Sequence, residues 1–100
     1  MLRPAATASP PETESTACFS VHAAANPGIM PRVLELFAKR GLVPSSWTSR
    51  VGPEQDLTID IQMRRMEGEL MDYVAACMRQ IVGVEVVLVS VKRQRASMPS

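Results

Sequence analysis

Asp56-Leu57-Thr58-Ile59-Asp60-Ile61-Gln62-Met63 alternates polar and apolar residues without a break. Successive side chains of a strand point to opposite faces, so Leu57, Ile59, Ile61 and Met63 share one face and Asp56, Thr58, Asp60 and Gln62 the other. A sheet built around this segment therefore has one covered face and one polar face. Just upstream, Gly52-Pro53-Glu54-Gln55 carries turn chemistry. That makes Val43–Val51 the preceding strand, with Val43, Trp47 and Val51 on one face, and the returning strand reaches Arg65.

Downstream, Glu67 and Glu69 place negative charge in the first turn of a helix. Leu70, Met71, Val74, Ala75, Met78, Ile81 and Val82 form its expected buried stripe, and Gly83 stops it. Val84-Glu85-Val86-Val87-Leu88-Val89-Ser90-Val91 follows as a strand apolar on both faces, which requires a central position or an edge that something covers. Toward the N-terminus, Cys18 to Ala23 alternates with period two, setting Phe19, Val21 and Ala23 against Cys18, Ser20 and His22. Asn26-Pro27-Gly28 then breaks the pattern. Met30, Val33, Leu34 and Phe37 recur at helical spacing until Gly41, with Pro31 in the first turn where its missing N–H is harmless.

The order strand, helix, strand, strand, helix, strand is that of an α+β, ferredoxin-like βαββαβ domain: a four-stranded antiparallel sheet with two helices on one face. The last strand is expected at a sheet edge, where a long apolar edge must be paired or covered, and this predicts a homodimer. The folded domain is expected over residues 17–93. Residues 1–16 and 94–100 hold too little apolar surface to offset ordering entropy and are expected to be disordered tails.

Composition narrows the function. Eleven basic and ten acidic residues leave a net charge of +1, which gives no footprint for nucleic acid or an anionic membrane. No run approaches the ~20 apolar residues of a membrane span, and no signal-peptide core precedes the domain, so a cytoplasmic protein is expected. Cys18 and Cys77, far apart within apolar patterns, are expected to be small buried hydrophobes, which suits a reducing compartment.

His22 is the single histidine, and Asp60 is expected beside it on the polar sheet face. Ser20 shares that face, but spacing supplies neither a triad nor an oxyanion donor, so no catalytic residue is assigned. One histidine and two separated cysteines do not make a zinc site, and neither metal nor cofactor is expected. RNA-binding relatives of this fold stack bases on exposed strand aromatics, whereas Phe19 belongs to the covered face. Lys39-Arg40 and Lys92-Arg93-Gln94-Arg95 read as solvated element ends, and Met30, Met63, Met71, Met78 and Trp47 as core. What remains is the turn from Ala24 to Met30: Gly28 permits close approach, and the helix start presents free N–H groups to an anion such as an amino-acid carboxylate.

The run Asn26-Pro27-Gly28-Ile29-Met30-Pro31-Arg32-Val33-Leu34-Glu35-Leu36-Phe37-Ala38-Lys39-Arg40-Gly41 resembles the ACT-domain signature, a Pro-Gly turn leading into a helix that ends Leu-Phe-x-x-Arg-Gly. More narrowly, it is similar to the small regulatory subunits of acetolactate synthase, as is the passage Ile81-Val82-Gly83-Val84-Glu85-Val86. The resemblance covers Ala17 to Arg93. It implies a non-catalytic regulatory subunit of branched-chain amino-acid biosynthesis that pairs as a homodimer and docks on a large catalytic subunit. An amino-acid effector would sit at the dimer interface against Asn26, Pro27, Gly28, Ile29 and Met30. The family's Asp or Asn three residues before the glycine, which holds the effector's ammonium group, is Ala25 here. A stand-alone amino-acid sensor of another pathway is the alternative.

Overall fold

The computed structural model describes residues 13–95. Six elements follow the expected order: β1 (Thr13–Ala24), α1 (Ile29–Ala38), β2 (Ser46–Val51), β3 (Asp56–Arg64), α2 (Gly68–Arg79) and β4 (Val84–Arg95). The strands form one antiparallel sheet in the order β2-β3-β1-β4, so β2 and β4 are its edges. This is the βαββαβ architecture expected.

The alternation of β3 is realised residue by residue: Leu57, Ile59, Ile61 and Met63 are buried, and Asp56 and Asp60 are exposed. Opposite them, Ala17, Phe19, Val21 and Ala23 of β1 are buried on the same face, because the register joins Phe19 to Ile61 and Val21 to Ile59. Ile29, Val33 and Phe37 of α1 and Val74, Ala75 and Met78 of α2 close the core over that face. Phe19 and Phe37 meet edge to face at 5.9 Å between centroids, which fixes α1 on the sheet and adds about 1 kcal/mol beyond area burial.

Several expectations shift at the margins. Val43 precedes β2 and is exposed, and Val51 is exposed too, because neither helix reaches the outer side of this edge strand; Trp47 alone of the three is half-buried on the core. Leu34 is exposed, lying at the rim of the apolar arc whose centre is Val33 and Phe37. Val82 lies beyond the end of α2 in the turn before Gly83 and is exposed. Met63 and Met78 are core, whereas Met30 and Met71 lie half-buried at its border. Cys18 and Cys77 are both half-buried free thiols rather than core.

The outer ends of β1 and β4 extend further than alternation suggested. Thr13 pairs with Arg95 and Glu14 with Gln94, since ladder hydrogen bonding does not depend on apolar content. The remainder of both expected tails lies outside the described residues. A β-bulge between His22 and Ala23 shifts the β1–β4 register just before the turn.

Candidate functional site

Where β1 leaves the sheet, the backbone is tied down on both sides. The Ala24 N–H donates to the Gly83 carbonyl at 3.0 Å, and the Ala25 N–H to the Gln55 carbonyl at 2.9 Å. Asn26 then builds the turn itself: its Oδ1 accepts from the Gly28 N–H at 2.8 Å, and its carbonyl accepts from the Ile29 N–H at 3.0 Å. An Asn side chain that mimics a backbone carbonyl in this way explains why the strand stops here and the helix begins three residues later, at Ile29.

Gly28 is the N-cap of α1 with φ −81° and ψ −10°, a conformation open to any L-residue. A Cβ there would lie 3.4 Å from Asn26 Oδ1 and 3.8 Å from Arg32 Nη1, in ordinary contact. The glycine therefore contributes openness at the turn rather than an unusual backbone angle. Its N–H, the donor nearest the helix start, is already engaged by Asn26.

Asn26, Pro27 and Met30 come together around a depression of about 160 Å³, walled on its other sides by Ala25, Val51 and Leu57. Gly28 is not among these residues, and neither is Ile29. Its side chain is 1% exposed and faces Gly83 in the core, so of the five expected residues it is the one whose side chain is withdrawn from the turn surface. None of the lining residues is charged. Ala25 contributes a methyl wall. The depression suits a small apolar group, with only the Asn26 amide and backbone groups to orient it.

Val51 and Leu57 are the participants the turn itself does not announce. They face each other across the β2–β3 ladder, and their alternation on the helix-side face is the signal that could have placed them there. The depression thus opens toward the β2 edge, whereas β4 lies at the other edge of the sheet.

The uncovered sheet face carries a second, wider depression of about 650 Å³, whose polar side chains come from Cys18, Ser20, Asp60, Gln62 and Ser90, with Leu88 beside them. Ser20 Oγ and His22 Nε2 are hydrogen-bonded at 3.2 Å. His22 stands opposite Thr58, and Asp60 stands opposite Ser20, so the expected His22–Asp60 juxtaposition is displaced by two residues along the strand. Among the described residues, no three His, Cys, Asp or Glu side chains converge on a possible metal position. Arg40 donates to the Leu36 carbonyl at 3.0 Å and lies 4.7 Å from the Tyr73 ring centroid, so this basic residue clasps α1 to α2. No helix among the described residues is long and apolar enough to cross a membrane.

A family model described as ACT-like domain matches residues 10–97. Among solved structures, the ACT domain from GTP pyrophosphokinase of Chlorobium tepidum superposes with a TM-score of 0.66 at 10% identity, covering 77% of this chain and 99% of that one. The C-terminal domain of the MgtC protein from Mycobacterium tuberculosis gives 0.62 at 8% identity, covering 86% and 94%. A homoserine dehydrogenase from Thiobacillus denitrificans gives 0.57 at 16% identity over 82% of this chain and 17% of its own. At these identities the likeness is one of fold. No curated protein matches.

Proposed function

The chain belongs to the ACT-like domain family, and we propose that within it this protein is a non-catalytic regulatory subunit that pairs as a homodimer and acts on a separate enzyme. The observation that carries this reading is the built turn: Asn26, Pro27 and Met30 gathered at the start of α1, beside an edge strand open to a second copy. The outward edge of β2 holds the backbone groups of Trp47, Ser49 and Val51, because Thr48 and Arg50 spend theirs on the ladder to β3. A copy paired along that edge would wall the depression at Val51 and complete it.

The partner enzyme proposed is acetolactate synthase, on the resemblance of Asn26–Gly41 and of Ile81–Val86 to its small subunits. Co-purification with the large subunit tests this directly: a stable complex with altered catalytic rate is expected, and neither binding nor a rate change would end the assignment. The uncharged lining and Ala25 favour a subunit that regulates by docking and needs no amino-acid effector.

The alternative, a stand-alone amino-acid sensor, draws on the 160 Å³ depression, which has room for a small aliphatic side chain. A thermal-shift panel separates the two. An effector present at about 100 times its dissociation constant stabilises by about 2.7 kcal/mol, several degrees for a domain of this size. Silence across the amino acids leaves the docking role.

A further inference from the structure

In β1, Ser20 and Cys18 stand opposite Leu88 and Ser90 of β4. The Ala24 N–H bond to the Gly83 carbonyl shows that even-numbered β1 residues turn their backbone groups toward β4. In an antiparallel ladder their partners turn inward as well, so the odd-numbered residues Val87, Val89 and Val91 present N–H and C=O away from the sheet. A row of such groups on an apolar strand is a template for another edge. One member of the row is occupied. Arg79, the last residue of α2, donates from Nη2 to the Val87 carbonyl at 2.7 Å, reaching it because the chain reverses within four residues at Gly83. At the far end of the strand, the exposed Lys92 and Arg93 place like charges against any identical strand pairing there.

We propose that Arg79 is an edge guard: by capping the Val87 carbonyl it keeps β4 from pairing with another copy. The need for a guard follows from closure. A two-fold pairing through β2 ends at a dimer only if β4 is inert; with both edges able to pair, sheets add without limit. That consequence rests on the paired regulator proposed above, but the guard itself is readable in a monomer as well.

The test compares the wild-type chain with Arg79→Ala and Arg79→Gln by sedimentation velocity over a range of concentrations, together with amide exchange at Val89 and Val91. In the wild type those two amides exchange fast. In both variants, with unchanged circular dichroism, the mass at equal concentration rises about twofold or more, one copy per opened edge, and the two amides become protected. Folded variants with wild-type mass and fast amides would reduce Arg79 to a helix-end hydrogen bond and overturn the proposal. Protection of Val89 and Val91 already in the wild type would overturn it equally, by showing the edge occupied. A wild-type monomer would count against the β2 pairing alone and leave the comparison of variants intact.

Discussion

Gly83 joins α2 to β4 at φ +101°, and a Cβ built there lies 3.0 Å from Ile29 Cδ1. Ile29, the first residue of α1, is itself 1% exposed in the core, so it has little room to give. Gly83→Ala combines backbone strain with overpacking, each costing about 1–3 kcal/mol, and is expected to lower Tm by on the order of 10 °C or more. A thermal melt within a couple of degrees of wild type would show that the turn relaxes freely. Gln55, in the β2–β3 turn, is the reverse case: it holds φ +63° where a glycine would be unstrained. Gln55→Gly exchanges left-handed strain of about 1–2 kcal/mol for the extra unfolded-chain entropy of glycine, about 0.4–1 kcal/mol. A denaturant midpoint shifted modestly upward is expected; a downward shift would mean that the Gln55 side chain contributes more than its backbone costs.

Within α1, position along the helix decides what a substitution does. Phe37 is fully buried against Phe19, so Phe37→Ala should cost about 3–5 kcal/mol in a urea titration. Leu34, one position from Val33 and 46% exposed, should tolerate Leu34→Gln within about 0.5 kcal/mol. Equal losses at the two positions would contradict the helix orientation. The 3.6-residue period made both residues candidates for the core, since a period locates an apolar arc but not its rim. The same gap between pattern and placement recurs elsewhere. Period two placed every buried residue of β3, because both of its neighbours are strands and every inward side chain is covered. It failed at Val43 and Val51, where coverage depends on how far a helix extends over an edge. For the candidate site, Asn26, Pro27 and Met30 were legible from turn chemistry and helix spacing. Alternation put Val51 and Leu57 on the helix-side face, but that they are the ones to meet this turn is set by sheet register rather than by local sequence. Register likewise moved Asp60 from His22 to Ser20, a two-residue displacement that alternation alone leaves invisible, since both positions share a face.

At the scale of the molecule, a core drawn from six short elements gives a domain of this length only modest stability, so association would be expected to show in its melting. A dimer that unfolds to separate chains gains about 1.4 kcal/mol for each tenfold rise in protein concentration, which moves Tm upward by several degrees per decade in a small domain. Calorimetry across a hundredfold range should therefore show a steady climb, and Val51→Arg, which sets a charge at the exposed end of β2, should flatten it while leaving the Tm at the lowest concentration nearly unchanged. The contrast isolates the β2 edge from the core, because a substitution that merely destabilised the fold would lower Tm at every concentration alike. A wild-type Tm indifferent to concentration would leave the depression at Asn26, Pro27 and Met30 open on the Val51 side, and a regulator completed by its own second copy would no longer be tenable.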